Sequence, residues 1–289
     1  MILVTGASGN VGGQVLARLL ERGIPVRAMT RSPETANLPE GAEVVRGDLA
    51  DPAGLEACLD GVETVFLMWP FHDAEPMAAI MDVVERHARR VVLMSSGAVQ
   101  DGLPPDRHTG RVGRSHAEVE RLLAASGLAW TVLRPSTFAA NALWWADQIR
   151  AGDTVAGPFG AVRMAMLHEA DIAAVAVCAL TEDGHDQACY LLTGPQALTQ
   201  VEQVHVIGQA LGRPLRWREL SREAARRRFA ADDSFADVLL DGYAKMLDGP
   251  SPALTKTVEM VTGSPARTFH QWVLDHAGEF APQGVVHPC

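Results

Sequence analysis

Through the first half of the chain, short apolar runs alternate with longer stretches of helical spacing, and this alternation restricts the fold more than any other feature. ILVT (2–5), PVRAM (25–29), AEVV (42–45), TVFLM (64–68), RVVLM (90–94) and WTVLR (130–134) have strand length. Between them, VGGQVLARLLERG, PAGLEACLDG, EPMAAIMDVVERHA and SHAEVERLLAASG place apolar residues at three- and four-residue intervals, as one face of a helix does. Strand, helix, strand in this order predicts a parallel sheet covered on both faces.

The second half is less regular. It holds NALWWADQIRAG, a helical pattern in EADIAAVAVCALTEDG, a strand-like ACYLL (188–192) and the stretch LTQVEQVHVIGQALG. That last helix has a capping-box start, Thr199 with Glu202, and a glycine stop at Gly212; a second box, Thr268 with Gln271, opens the closing helix. Residues 1–138 are expected to form the main layer, with 169–192 completing its sheet. Residues 139–168 and 193–289 are expected to form a smaller lobe that binds substrate over the carboxyl ends of the strands, where open α/β sheets take their ligands.

Charge and composition exclude several classes. The chain has 289 residues and a formal charge of −10, so binding that relies on neutralising a phosphate backbone is not expected, and nucleic acid is not a partner. No run reaches the roughly 18 apolar residues that span a bilayer, which predicts no membrane association and a cytoplasmic protein. Cys58, Cys178, Cys189 and Cys289 lack metal-ligand spacing and read as free thiols, with no metal site.

The first crossover carries the clearest chemistry. TGASGNVGG places Gly6, Gly9 and Gly12 three residues apart between the first strand and the first helix. A strand that turns directly into a helix gathers free backbone N–H groups at the positive end of the helix dipole, where a phosphate is stabilised. Gly6 then serves the tight turn, Gly9 removes a side chain from the path of a pyrophosphate, and Gly12 brings helix and strand close. At the end of the second strand, an acidic residue would accept from a ribose 2′-hydroxyl. This chain has Met29-Thr30-Arg31-Ser32 instead, and the guanidinium of Arg31 suits a 2′-phosphate, favouring NADPH over NADH. RGDLADP follows the third strand, putting Asp48 and Leu49 beside the adenine and Asp51 at a helix N-cap.

With VVLMSSGA (91–98), LRPSTF (133–138) and YLLTGPQALT (190–199), these motifs resemble the atypical short-chain dehydrogenase/reductase group, in particular its NmrA-like, NAD(P)-binding subfamily. The similarity runs over nearly the whole chain and implies a Rossmann-type, doubly wound α/β fold with a smaller, mostly C-terminal substrate lobe. It implies that Gly6, Ser8, Gly9, Asn10, Val11 and Gly12 hold the pyrophosphate, Arg31 the 2′-phosphate, and Asp48 and Leu49 the adenine. Met68 and Trp69 would flank the adenosine, and Ser95 and Pro135 the nicotinamide.

The chain departs from the superfamily at its catalytic pair, a tyrosine with a lysine four residues later. Its two tyrosines, Tyr190 and Tyr243, are followed at that spacing by Gly194 and Leu247. At the expected place on the helix after the fifth strand stand His116 and Glu120, one turn apart. Two readings remain open. In one, His116 donates a proton or hydrogen bond to substrate while Glu120 orients it; in the other, the two form an ordinary pair on a partly exposed helix. A quinone or activated enone needs no dedicated acid, because water can supply the proton.

Phe71 and His72 after the fourth strand, with Phe138, Trp144 and Trp145, are expected to line a hydrophobic substrate cleft or to seal the lobe. His168 reads as structural. Residues 212–228 carry seven arginines against two glutamates, a solvated face or a docking patch for an acidic partner. The expected function is an NADPH-dependent reductase of a hydrophobic carbonyl, enone or quinone, acting as a monomer or homodimer. A cofactor-sensing regulator without turnover and a non-redox isomerase or dehydratase are the alternatives.

Overall fold

The computed structural model describes residues 1–71, 73–228 and 233–281, with only the backbone described for 233–235. His72 and Cys289 lie outside the described residues. In chain order the elements of the first half are β1 (Ile2–Val4), α1 (Asn10–Glu21), β2 (Val26–Thr30), β3 (Glu43–Arg46), α2 (Pro52–Cys58), β4 (Thr64–Met68), α3 (Met77–His87), β5 (Arg90–Met94), α4 (Arg111–Ala124) and β6 (Ala129–Pro135). There follow α5 (Ala146–Ala151), β7 (Thr154–Gly157), β8 (Arg163–Ala165), α6 (Glu169–Thr181), β9 (Ala188–Leu192), β10 (Ala197–Thr199), α7 (Gln200–Leu211), β11 (Arg216–Glu219), α8 (Arg222–Arg228), α9 (Asp233–Asp248), α10 (Thr257–Thr262) and α11 (Phe269–Asp275).

Seven parallel strands form one sheet in the order β3-β2-β1-β4-β5-β6-β9. Ile2 pairs with Val26 on one side and with Thr64 on the other, so the winding direction reverses at β1. Such a reversal opens a crevice at the carboxyl ends of the strands. The central strands read as continuous apolar runs because helices cover both of their faces. Leu3, Val4, Phe66, Leu67, Val91, Val92 and Leu93 are all buried.

On one face, α1 packs against α6, and α6 is buried from Ile172 to Leu180 apart from the half-buried Ala174. A helix that is apolar all round needs cover all round. Here α1, the strands β4, β5 and β6, and the short α10 provide it. On the other face, Leu55, Ile80, Val84, Val119 and Leu123 from α2, α3 and α4 join Leu3, Val65 and Leu93 in one core. Each large aliphatic side chain buried there contributes about 1.5 to 3 kcal/mol.

The chain divides into two compact units: residues 1–136, 169–192 and 256–265 form the first, and 137–168, 193–255 and 266–289 the second. Residues 256–265, assigned from sequence to the smaller lobe, stand with the first unit because α10 packs on α6 and β9. The second unit has its own core of Ile149, Val155, Met164, Val204, Ile207, Phe269, Trp272 and Phe280. Two short ladders frame it, β8 antiparallel to β10 and β7 parallel to β11. Both capping boxes form. Thr199 Oγ1 accepts from the Glu202 N–H at 3.1 Å while the carboxylate takes the Thr199 N–H at 2.7 Å, and Thr268 and Gln271 repeat the exchange. Gly212 ends α7 with φ +66°, a conformation that favours glycine.

Among the described residues no helix is long and apolar enough to cross a membrane, and no group of three or more His, Cys, Asp or Glu is placed to hold a metal. Cys58 and Cys178 are buried free thiols, and Cys189 is an exposed one on the edge strand β9.

Candidate functional site

The glycine turn lies at the point where the sheet reverses. The Thr5 N–H and hydroxyl both donate to the Phe66 carbonyl at 3.1 Å, and the Met68 N–H donates to Thr5 Oγ1 at 2.8 Å, tying the ends of β1 and β4 together. Gly6 turns the chain with φ +62°, and the Gly9 N–H closes the turn on its carbonyl at 2.9 Å. The three glycines are held to different constraints. A Cβ on Gly12 would stand 2.1 Å from the Gly6 oxygen, so helix and strand approach backbone to backbone there. A Cβ on Gly9 would meet only that oxygen, at 3.3 Å, so packing alone does not require glycine at this position. No side chain caps α1 and its first turn holds no acidic residue, which leaves its leading amides and dipole uncompensated.

A cleft of about 790 Å³ opens beside this turn and runs past the ends of β2, β3 and β4. Gly6, Ser8, Arg31, Asp48, Leu49, Met68 and Phe71, all singled out in the sequence, line it together. Thr30, Ser32, Thr35, Asn37 and Pro70 line it too and were not singled out. Thr30 and Ser32 flank Arg31 in the turn whose motif drew attention. Thr35 and Asn37 come from an irregular loop with no periodic signal. Arg31 is exposed and makes no ion pair among the described residues. Its loop is anchored by Arg46, which donates to the Arg31 carbonyl at 2.7 Å and pairs with Glu34. Asp48 accepts the Ala50 N–H at 3.0 Å. Asp51 occupies the N-cap position of α2, but its side chain makes no capping bond, and Pro52 removes one amide that would need it.

Other expected contacts sit elsewhere. Trp69 is buried in the core, its indole N–H donating to the Asp73 carbonyl at 3.1 Å and its ring meeting Phe71 edge-on at 5.0 Å. Burial with a satisfied indole places Trp69 under the cleft wall rather than on its surface. Val11 is likewise buried. Gly9, Asn10 and Gly12 belong to the turn and helix start beside the cleft and do not line it.

Ser95 and Pro135 lie at the ends of β5 and β6 in the first unit. The Gly97 N–H donates to the Pro135 carbonyl at 2.8 Å, and a Cβ on Gly97 would come within 2.9 Å of that oxygen, so a glycine is needed for the loop to close.

His116 and Glu120 do share one side of α4, but they are not partners. The Val112 carbonyl accepts from His116 Nδ1 at 2.9 Å, so a backbone group orients the ring and Glu120 does not. Because a carbonyl can only accept, Nδ1 carries the proton, and the neutral ring presents Nε2 as a bare acceptor. Burial lowers the His116 pKa, opposed by the Val112 bond and the Glu120 charge, which favours this neutral form. Glu120 is engaged with other groups. Arg134 Nε donates to both its oxygens at 3.0 and 3.2 Å, Arg134 Nη2 donates to Oε2 at 2.6 Å, and the Ser95 hydroxyl donates to Oε1. Arg134 Nη1 reaches Asp101 at 2.5 Å. Burial works against the Arg134 charge, and its bonds to Glu120 and Asp101 outweigh that cost, raising its pKa above the ordinary arginine value.

The remaining aromatic residues are in the second unit. Phe138 bridges to Leu167, Trp145 meets Trp217 edge-on at 5.8 Å against that unit's core, and Trp144 is half exposed. His168 is buried, with Nε2 3.2 Å from an Asp275 oxygen. In the arginine run, Arg213 pairs with Asp153, Arg222 with Asp241 and Arg226 with Asp237, so part of its charge is neutralised locally. Neither tyrosine is followed by a lysine at the four-residue spacing; the Tyr190 hydroxyl is 2.8 Å from His185 Nδ1, and the Tyr243 ring meets Phe159.

An NAD(P)H-binding family matches residues 6–183. The chain is 39% identical to a (4-alkanoyl-5-oxo-2,5-dihydrofuran-3-yl)methyl phosphate reductase of Streptomyces griseus subsp. griseus, over 98% of this chain and all of the relative. It is 34% identical to an NAD(P)H azoreductase of Xenophilus azovorans, over 97% of this chain and 99% of that one. Among solved structures, the NADPH-dependent quinone oxidoreductase of Escherichia coli in complex with NADPH superposes with a TM-score of 0.80 at 26% identity, covering 96% of this chain and all of that one. The glycine turn, the sheet order and these matches agree: the chain belongs to the NAD(P)H-binding family.

Proposed function

We propose that the protein is an NADPH-dependent oxidoreductase acting on a hydrophobic conjugated acceptor, an enone or quinone in preference to a simple ketone. The cleft at the sheet reversal carries this reading, because it opens beside an uncapped helix start and the tight turn at Gly6 and is lined by the unpaired guanidinium of Arg31. Those residues suit a dinucleotide bearing a 2′-phosphate. Gly6, Ser8, Gly9, Asn10, Val11 and Gly12 would hold the diphosphate, Arg31 the 2′-phosphate, Asp48, Leu49 and Met68 the adenosine, and Ser95 and Pro135 the ring. Trp69 would act from beneath, through Phe71. Bound NADPH supplies a hydride.

The protein's part is to position and to exclude water. His116, neutral and with Nε2 bare, serves as a hydrogen-bond acceptor that orders a water or a substrate hydroxyl, rather than as an acid. No Tyr-Lys pair is present to protonate a ketone oxygen, which favours an acceptor whose electrons enter a conjugated system and whose proton comes from solvent. Phe71 would supply apolar surface for such a substrate from the cleft of the first unit, and Phe138, Trp144 and Trp145 are the apolar candidates within the second. Two relatives are by name a (4-alkanoyl-5-oxo-2,5-dihydrofuran-3-yl)methyl phosphate reductase and an NAD(P)H azoreductase, which supports reduction of a small organic acceptor.

Purified protein mixed with NADPH and a panel of quinones, enones and simple ketones tests this. Loss of the reduced-cofactor absorbance with the conjugated substrates and not with the ketones is expected. Binding of NADPH without consumption across the panel would instead support the sensor reading, which the missing acid also favours.

A further inference from the structure

Ser95 follows β5 directly and is buried, its N–H donated to the Leu133 carbonyl at 2.8 Å. The direction of its hydroxyl proton is fixed by its neighbours. Arg134 is a donor only, and it delivers three contacts of 2.6 to 3.2 Å to the Glu120 carboxylate. Both oxygens of that carboxylate therefore face donors and serve as acceptors, Oε1 taking the Ser95 hydroxyl as well. The Ser95 proton therefore points at Glu120, and its oxygen keeps lone pairs alone for anything else at the carboxyl end of the sheet. A serine so arranged cannot donate to a substrate carbonyl; it can accept from an N–H.

We propose that Ser95 Oγ accepts a hydrogen bond from the carboxamide N–H of the nicotinamide, and that Glu120 and Arg134 are positioning residues that hold Ser95 in this acceptor state. Asp101, whose side chain is 90% exposed, holds the far end of the Arg134 guanidinium and keeps its fork turned toward Glu120. The inference rests on the proposed binding of NADP(H). It extends that reading by removing the Ser95 hydroxyl from carbonyl activation, consistent with a conjugated substrate.

The test compares two oxidised cofactors by calorimetry: NADP⁺ and its 3-acetylpyridine analogue, in which a methyl group replaces the amide nitrogen and no N–H remains. Ser95→Ala is expected to weaken NADP⁺ binding about three- to tenfold, the range for one neutral hydrogen bond, and to leave the analogue's affinity unchanged. Glu120→Gln, which frees the serine proton, is expected to reduce the preference for NADP⁺ over the analogue, and adding Ser95→Ala to it should cost nothing more. Equal weakening of both ligands by Ser95→Ala, or no weakening of either, overturns the proposal. A full NADP⁺ preference retained in Glu120→Gln overturns the positioning role. Ser95→Ala removes a single small oxygen, so it remains informative even where the Glu120 variant does not fold. If the unmodified protein binds neither ligand, the proposed function fails rather than this inference.

Discussion

The turn glycines separate packing from ligand binding, because alanine at three neighbouring positions has three different consequences. In Gly12→Ala the new methyl would sit 2.1 Å from the Gly6 oxygen and 2.7 Å from its carbon, both backbone atoms that no rotamer change can move. Relieving a carbon–oxygen contact to about 3.3 Å requires helix and strand to separate by about 1 Å. The cost lies at the upper end of overpacking, about 3 kcal/mol, which lowers the melting temperature of a unit of this size by about 6 to 12 °C. In Gly9→Ala the methyl meets one atom at 3.3 Å, and its φ of −88° suits any residue, so stability should change by less than about 1 kcal/mol. The same methyl would enter the space proposed for the diphosphate, and NADPH affinity should then fall about tenfold to a hundredfold. Gly13→Ala lies inside α1 with its nearest contact at 3.4 Å, and gains about 1 kcal/mol of helix propensity without touching binding. Thermal melts and calorimetric titrations with NADPH read all three. If Gly9→Ala melts as low as Gly12→Ala, or binds NADPH like the unmodified protein, the division of labour among these glycines is wrong.

Arg31→Ala should weaken NADPH by about 1 to 3 kcal/mol and leave NADH nearly unchanged, measured as two dissociation constants; equal losses would remove the case for a 2′-phosphate. His116→Phe should lower turnover while NADPH affinity holds, and unchanged turnover would return His116 to a surface role. The pH profile follows from the lowered His116 pKa. With the neutral ring as the proposed working form, turnover should be level above pH about 6.5 and decline only as pH falls through the lower native pKa, and His116→Phe should abolish that limb. Stability has the same sign: the unfolded histidine takes up a proton first, so this group's contribution is complete above pH about 6.5 and is lost on the acid side. Turnover that instead rises with acidity would identify the imidazolium as a proton donor. Thr199→Ala should cost about 1 kcal/mol in a denaturant midpoint, since the Glu202 amide loses its acceptor.

Local chemistry in this chain was legible where neighbours in sequence are also neighbours in space. The strands of the main sheet, the glycine turn, Arg31 after β2 and both capping boxes each depend on residues a few positions apart, and each is found where its pattern predicts. The ladders of β7, β8, β10 and β11 were missed because strands of three or four residues carry too little alternation to stand out. Trp69 shows a subtler limit: the strand end fixed its location, while burial depends on an Asp73 carbonyl and on Phe71 closing over it.

Glu120 is the most instructive case. Its spacing from His116 invites a one-turn pair, yet a carboxylate that is nearly out of water is claimed by whichever full positive charge can reach it. That charge is Arg134, 14 residues away and brought alongside by β6, with Ser95 arriving from β5. A partly buried histidine held neutral by desolvation offers no such compensation, so the ion pair prevails and His116 falls back on a backbone carbonyl. The position that a lysine holds in the superfamily thus carries the opposite charge here, paired to an arginine on the neighbouring strand. The consequence for the proposed chemistry is that the Ser95 hydroxyl, committed as a donor to Glu120, has only lone pairs left to offer a ligand.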